Sequence, residues 1–157
     1  MSRVVVVLVL LAVAGCGLTV PSDPDGTLDR VTGGTLRVGA VDTGREPWVR
    51  WDDPGQPSGV EADLVRDFAR RLDARITWVR GSEQHLAEQL KHGRLDLVVG
   101  GFADTTPWMT HAGMTRPYTE TKDPFGTTLK HVMLVPLGEN AFLVELDRFL
   151  EKAEVRP

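Results

Sequence analysis

Hydrophobic residues along the chain alternate between short continuous runs and stripes of helical spacing. Runs rich in Val, Ile and Leu predict strands at residues 35–40, 76–79, 95–99 and 127–135. Stripes spaced by three and four residues predict amphipathic helices at 61–72, after Ser82 and at 141–152. The order βαβαβ, followed by a strand and a helix, predicts an α/β fold with a mainly parallel open sheet and helices on both faces.

Three local signals support the ends of these helices. Ser82 is a favourable N-cap residue for the second helix, and Gly93 stands where a glycine commonly ends one. Thr106 followed by Pro107 predicts the start of a further brief helix, with Thr106 as its cap.

The first fifteen residues follow a different pattern. Arg3 precedes an uninterrupted apolar run at 4–14. As a helix this run is about 16 Å long, short of the ~30 Å hydrocarbon core of a bilayer. A basic start, a short apolar run and then small residues predict a secretory signal peptide at 1–15. The proline- and glycine-containing residues 16–34 predict a flexible tether.

The signal segment ends in Val13-Ala-Gly-Cys16, which resembles a bacterial lipobox. The resemblance implies cleavage before Cys16 and lipidation of its sulfur, so that the exported chain is anchored to the outer face of the membrane. The alternative is an ordinary signal peptide in which Cys16 is incidental.

Composition narrows the functional classes. A length of 157 residues indicates one domain. The net charge of −4, with no basic run, indicates that nucleic acid is not a partner. The single cysteine excludes an internal disulfide and a cysteine-based zinc site.

Motifs for catalysis or metal binding are missing from the sequence. None of the four histidines is spaced four residues from another around a glutamate, as a metalloprotease helix requires. There is no Gly-x-Ser-x-Gly elbow, and the glycine-rich 100–105 stretch lacks the lysine of a phosphate loop. We therefore expect no catalytic residue, metal or cofactor, and no enzyme.

The predicted fold indicates where a binding site lies. In open α/β sheets, ligands bind beyond the carboxyl ends of the strands. The loops that follow the first three predicted strands are 41–48, 80–83 and 100–108.

Several segments in these regions carry a resemblance. Leu36-Arg-Val-Gly39, Glu46-Pro-Trp48, the 55–64 stretch and Arg116-Pro-Tyr118 are similar to the extracellular solute-binding proteins of family 3, the polar amino-acid receptors of bacterial ABC importers. The resemblance covers 36–118 and 129–152. It implies a periplasmic-binding-protein-like lobe over 35–153, made of residues 35–118 and a returning strand and helix at 127–153.

The resemblance also implies a second lobe, inserted after the Pro-Tyr segment. The stretch between Tyr118 and Pro136 is too short to hold one. We therefore expect a single lobe whose cleft is open or covered by another molecule, either a membrane permease or a second chain.

Site residues implied by the resemblance are mostly replaced in this chain. Arg45 and Glu83 stand where the family has aromatic platforms, and Trp108 stands where the family has the arginine that holds the ligand carboxylate. The acidic position after the first strand is kept as Asp42. An ordinary α-amino acid is therefore not the expected ligand.

The family's backbone-donating positions after the third strand are also changed. They correspond to Gly101 and Ala103, while Thr105 is retained. Together with nearby charged and aromatic residues, the predicted ligand-binding set is Asp42, Arg45, Glu46, Trp48, Glu83, Gly101, Asp104, Thr105 and Trp108.

Carboxylates beside tryptophan rings favour a small polar or cationic ligand, through charge pairing and cation–π contact. The alternative is that the acids form a solvated rim and the tryptophans cover an edge of the core. The leading hypothesis is a membrane-anchored solute-binding lipoprotein of an ABC transporter. The alternative is a one-lobe interaction or sensory module whose open cleft docks a protein.

Overall fold

A computed structural model of the protein describes residues 22–43, 45–53 and 55–155. Its strands are β1 Thr35–Val41, β2 Arg50–Asp53, β3 Gln56–Ser58, β4 Arg75–Gly81, β5 Leu97–Ala103, β6 Gly113–Met114, β7 Thr119–Lys122 and β8 Thr128–Val135. Its α-helices are α1 Thr27–Val31, α2 Val60–Arg71, α3 Glu83–Lys91 and α4 Asn140–Leu150, and a 3₁₀ helix spans Pro107–Thr110. The predicted signal peptide and Cys16 lie outside the described residues.

The main sheet has the order β4-β1-β5-β8, and both β6 and β7 pair with the remaining edge of β8. β4, β1 and β5 are parallel, whereas β8 runs antiparallel to β5. The expectation of a mainly parallel sheet therefore needs correction to a mixed sheet. A parallel pair requires a long crossover, and the chain enters β8 from β7 through a tight hairpin instead.

Helices cover both faces of the sheet, as the hydrophobic pattern predicted. On one face, Phe68 of α2 and Phe142 of α4 pack with ring centroids 5.8 Å apart over buried residues of β1 and β5. On the other face, Leu86 and Leu90 of α3 pack against Val98 of β5. β5 is buried on both faces, which explains its continuous apolar run.

The predicted ends of α3 are confirmed. The Ser82 hydroxyl accepts a hydrogen bond from the backbone N–H of His85 at 3.3 Å. Gly93 follows the helix with φ +66°, a conformation that glycine adopts without strain. The 3₁₀ helix begins at Pro107 as predicted, but the Thr106 side chain makes no capping hydrogen bond.

Residues 22–34 are held against the lobe and are not the flexible tether that their composition predicts. The buried carboxylate of Glu139 accepts the backbone N–H groups of Asp25 and Thr27, both at 3.0 Å. The Asn140 N–H donates to the Ser22 carbonyl at 2.8 Å. The carboxylate satisfies N–H groups at the start of α1 that would otherwise lack a partner, so proline and glycine here mark turns within a fixed segment.

Asp96 fastens α1 and β1 together. Its fully buried carboxylate accepts side-chain hydrogen bonds from Arg30 and Arg37, at 2.6 and 2.5 Å. Burial alone would raise the pKa of Asp96, but the hydrogen bonds from the two arginines outweigh burial and hold that pKa below its usual range. The aspartate is therefore an internal brace.

A single hairpin occupies the stretch where the resemblance places a second lobe. β7 begins directly after Tyr118 and pairs with β8 from Thr119–His131 to Lys122–Thr128. Asp123 closes the turn by accepting the backbone N–H groups of Phe125 and Thr127 at 2.9 and 2.8 Å. The chain between Tyr118 and Pro136 therefore carries no second lobe, as expected from its length.

Within the part of the chain that the structure describes, no helix combines the length and the apolar character needed to cross a bilayer.

Candidate functional site

The carboxyl ends of β1, β4 and β5 lie side by side and form the edge at which a ligand is expected. Val41 pairs with Gly81, and the Asp42 N–H continues this pairing by donating to the Gly81 carbonyl at 3.0 Å. The register of β1 with β5 pairs Ala40 with Val99, which puts Asp42 level with Gly101. The three predicted loops therefore do meet at one edge.

Glu83 is the centre of a polar network at this edge. It is the first residue of α3, and its carboxylate forms an ion pair with Arg45. The indole N–H of Trp108 donates to the other carboxylate oxygen at 3.2 Å. Residues from three separate loops are thus joined, with the Glu83 side chain one-quarter exposed.

Asp42 and Asp104 flank the sheet at the same edge. Both are partly buried, and the Asp104 N–H donates to the Lys130 carbonyl at 2.9 Å. Neither carboxylate forms a salt bridge with any residue in the described part of the chain. Their charge is therefore left without an opposite charge in contact.

Glu46 and Thr105 lie further out. Glu46 is exposed and forms a 3.5 Å ion pair with Arg50, which draws its carboxylate toward the β2–β3 hairpin. Thr105 is exposed in the turn after β5. Among the described residues, no hydrogen bond or salt bridge joins either side chain to the Glu83 network.

Trp48 is packed inside the lobe, with only 6% of its surface exposed. Its ring centroid lies 4.0 Å from the centroid of the His131 ring and 6.2 Å from that of the Tyr118 ring, which it meets edge to face. A side chain on Gly101 would reach within 2.4 Å of the Trp48 ring, so only glycine fits there. Trp48 therefore supports the edge from below, whereas Trp108 is partly exposed on it.

Glu61 is a structural residue of this edge that the sequence analysis did not single out. Its carboxylate is fully buried and accepts the Gly101 N–H at 2.9 Å and the Tyr118 hydroxyl at 2.5 Å. Burial raises the pKa of Glu61 to about 7, against the opposing effect of these two hydrogen bonds. The N–H of Gly101, predicted to face a ligand, is thus committed to Glu61.

The sequence contained only a weak signal for Glu61. The residue stands in the first turn of a predicted helix, where an acidic side chain is common for its interaction with the helix dipole. Nothing in the local pattern shows that its carboxylate is buried beneath a glycine forty residues away.

His131 closes the base of the edge. It is buried, and its Nε2 lies 2.8 Å from the Thr121 hydroxyl, while its Nδ1 has no hydrogen-bond partner within the described chain. Burial lowers the pKa of His131, which favours the neutral ring against the Trp48 ring. Within the described residues no three His, Cys, Asp or Glu side chains converge to hold a metal ion.

Chemically, this edge presents carboxylates beside one accessible indole. Such a surface attracts a cation by charge and by contact with the ring face. Among the described residues, the ion-paired cation at this edge is Arg45, which is exposed and forms its ion pair with Glu83.

A model of the bacterial extracellular solute-binding proteins, family 3, matches residues 36–155. The comparison with curated proteins finds no matching sequence.

Several solved structures with the same fold are named as binding proteins. The arginine-bound form of domain 1 of ArgBP from T. maritima is 21% identical, with a TM-score of 0.69 over 80% of this chain and 98% of that one. The ancestral cationic amino acid solute-binding protein AncCDT-1 is 16% identical, with a TM-score of 0.70 over 80% and 93%. It is also described as a precursor of cyclohexadienyl dehydratase.

A binding component of an ABC transporter from Wolinella succinogenes DSM 1740, complexed with lysine, has the same fold. It is 15% identical, with a TM-score of 0.66 over 76% of this chain and 89% of that one. At these identities the structural likeness establishes the fold of the lobe.

Proposed function

This chain belongs to the bacterial extracellular solute-binding proteins of family 3, and from that premise we propose that its one lobe binds a small cationic solute at the carboxyl edge of the sheet. The proposal concerns a binding protein associated with transport, without a catalytic step.

The observation that carries the proposal is the Arg45–Glu83–Trp108 network. The guanidinium of Arg45 sits on the Glu83 carboxylate, while the indole of Trp108 donates to the same carboxylate. A cationic group of this chain thus occupies the place that a ligand cation would take. Because Arg45 is exposed, a solute cation can displace it and gain the same carboxylate and the neighbouring ring.

Uncompensated charge at the edge supports the same ligand class. Asp42 and Asp104 have no salt-bridge partner among the described residues, so a bound cation would meet carboxylates that are already partly desolvated. A second positive group on the solute, as in arginine, lysine or a polyamine, would pair with one of them. An anionic solute would meet repulsion from these carboxylates.

An α-amino acid whose side chain carries no positive charge is a poorer match to this edge. Its carboxylate would need a cation of its own, the position that supplies an arginine in the family carries Trp108, and the amino acid has no second positive group for the edge carboxylates. The similar structures bound to arginine and lysine, and the one described as binding cationic amino acids, favour a cationic side chain as the shared feature.

The test is a thermal-unfolding panel of matched solutes. Arginine, lysine, spermidine and choline, which carry a net positive charge, are compared with citrulline and glutamate, which do not. A ligand that binds the folded state stabilises it by RT ln(1 + [L]/Kd), about 2.7 kcal/mol at a hundredfold excess over Kd. Stabilisation by at least one cation and not by citrulline or glutamate supports the proposal. If none of the six solutes stabilises the chain, the result contradicts the proposal and favours a lobe that docks a protein.

We further propose that the chain is exported and anchored by lipid on Cys16. The support is the lipobox-like segment and the extracellular character of the family. Expressed in a bacterium supplied with labelled palmitate, the full chain should carry the label and Cys16→Ser should not. Label on the variant, or none on either chain, would contradict the anchor. A permease is the partner we propose for the anchored lobe.

A further inference from the structure

β7 is a short edge strand whose outer side has no partner in the described chain. It pairs with β8 on one side only. Its four residues are Thr-Glu-Thr-Lys, with Glu120 and Lys122 exposed and the two threonines partly buried. An open strand edge is a template for pairing with another strand.

The backbone groups that face outward from β7 can be identified. Residues of antiparallel strands alternate between bonding to one neighbour and bonding to the other. The Asp123 N–H donates to the Thr127 carbonyl, while the Lys130 carbonyl turns away from β7 to accept from Asp104. Since Glu120 stands opposite Lys130 and Lys122 opposite Thr128, the N–H and C=O groups of Glu120 and Lys122 point to the free edge.

These two residues make the edge self-complementary. When two copies of β7 pair antiparallel about a two-fold axis at Thr121, Glu120 of each copy lies opposite Lys122 of the other. That register pairs the outward N–H and C=O groups of both residues and brings opposite charges together on the exposed face. Within each copy, Glu120 also lies opposite Lys130, so negative and positive charges would alternate across the joined strands.

A second feature fits the same register. Phe125, at the tip of the β7–β8 hairpin, is 93% exposed, an unusual position for a large apolar side chain. Because the two copies of β7 pair antiparallel, the turn after Lys122 lies on the side of the segment that precedes Thr119 in the other copy, which contains Pro117. Pro117 lines a groove of about 540 Å³ between the 116–118 segment and α4, with Val144 and Leu150 among charged residues on its walls. The aromatic ring can contact these apolar residues there.

We propose that β7 is the interface of a symmetric dimer of this chain, in which two copies pair edge to edge and Phe125 of each packs into the groove beside Pro117 of the other. The sheet then continues across both lobes, and the same patch serves on each copy, as two-fold symmetry requires. The proposal is independent of the solute that the carboxyl edge binds.

Charge reversal tests the register. The full chain, purified in mild detergent, should sediment as a dimer at about 100 µM. Lys122→Glu places like charges opposite each other twice and should raise the dissociation constant about tenfold. The double variant Glu120→Lys with Lys122→Glu restores opposite charges and should return most of the affinity. The control Lys91→Glu, the same charge change on α3, should leave the dimer intact.

The hairpin tip is tested by a matched pair of apolar substitutions. Phe125→Ser should weaken the dimer about tenfold or more. Leu137→Ser removes another exposed apolar side chain, outside the hairpin, and should not weaken it. Circular dichroism of each variant shows whether its fold is retained. Because both residues are exposed, we expect unchanged spectra.

A disulfide locates the two-fold axis directly. In a Cys16→Ser background, Thr121→Cys carries the only thiol of the chain and should form a covalent dimer on mild oxidation, whereas Thr32→Cys at the far end of α1 should not. A chain that stays monomeric at about 100 µM overturns the proposal. So does a dimer that neither Lys122→Glu nor Phe125→Ser weakens, since its interface lies elsewhere.

Discussion

Glu61 is fully buried, and the hydrogen bonds that its carboxylate accepts hold the candidate edge in shape. It connects the start of α2 to Gly101 and Tyr118. The position of the candidate site thus depends on a residue beneath it that no ligand touches.

The raised pKa of Glu61 has a consequence for stability. Between its ordinary pKa near 4.5 and its raised value of about 7, the unfolded chain ionises while the folded chain does not. Glu61 therefore lowers the free energy of unfolding as pH rises through this window, and the loss is complete above about pH 7. From pH 5 to pH 8 the loss from this residue is roughly 2 kcal/mol.

The variant Glu61→Gln cannot ionise and should remove that loss. Urea unfolding at pH 5 and pH 8 gives the change in free energy for each chain. We expect the wild type to lose roughly 2 kcal/mol more than Glu61→Gln over this range. Equal pH dependence in the two chains would show that Glu61 is ionised in the folded lobe at pH 5.

The ion pair between Arg45 and Glu83 predicts that replacing its two members has opposite effects on the affinity for a cationic solute. Glu83→Gln should weaken binding of a cationic solute about tenfold, because it removes the carboxylate that receives the cation. Arg45→Gln should strengthen binding several-fold, because it removes the internal competitor. Titration of both variants with the same solute measures the two effects.

The two signs separate a ligand role from a structural one. If the pair only stabilised the loops, both variants would weaken binding together. Asp63→Asn serves as a control, since Asp63 is an exposed acid of α2 paired with Arg66 at 2.8 Å. That variant should leave affinity unchanged.

At the scale of elements, the sequence predicted helices and strands best where the hydrophobic pattern alone determines the type of element. α2, α3 and α4 follow from their apolar stripes, and β1, β5 and β8 follow from short apolar runs between turn residues. Each of these elements buries one or two faces in the core, so the spacing of its hydrophobic residues indicates whether it is a helix or a strand.

The elements missed by the pattern are those that long-range contacts hold. α1 has five residues, too few to be stable alone. It is fixed by Glu139 and Asp96, which lie more than sixty residues away in sequence. β2, β3, β6 and β7 are two to four residues long and carry no distinctive alternation. Contacts between residues far apart in sequence cannot be predicted from the residues of the short element itself.

Removing the anchor of α1 should release the whole segment. Glu139→Ala leaves the N–H groups of Asp25 and Thr27 without an acceptor, and we expect it to lower the free energy of unfolding by about 1–3 kcal/mol. Hydrogen exchange should accelerate at residues 25–31. Glu151→Ala, an exposed acid after α4, should change neither, and slow exchange at 25–31 in Glu139→Ala would show that other contacts suffice.

Acid should have a related effect on the same contact. Burial alone would raise the pKa of Glu139, but the hydrogen bonds from Asp25 and Thr27 outweigh it and hold that pKa below its ordinary value. The stability that Glu139 supplies is therefore present above its usual pKa and is lost as pH falls through the lowered value.

At the scale of the molecule, the order of strands and helices was enough to predict that three loops meet at one edge of the sheet. It did not give the direction of β8, because that depends on whether a hairpin or a crossover precedes it. The order also did not show which tryptophan side chain is accessible. Both Trp48 and Trp108 were predicted to bind a ligand, yet Trp48 is packed against His131 and Trp108 is partly exposed beside Glu83.

The replacement of a second lobe by one hairpin sets the character of the whole protein. Family members that close two lobes around a solute exclude water from it. One lobe leaves the carboxyl edge open, so affinity must come from charge and ring contacts on a single surface. The proposed membrane permease is one way of adding a second surface to this edge, whereas the proposed dimer lies at β7 and leaves the edge uncovered.

The measurement that tests the account most directly is isothermal titration of the full chain with arginine, set against citrulline, which has nearly the same shape without the cationic guanidinium. The account predicts heat with one arginine per lobe, binding weakened about tenfold in Glu83→Gln, and no heat with citrulline. Equal binding of arginine and citrulline, or binding that Glu83→Gln leaves unchanged, would contradict the assignment of this edge as a cation site.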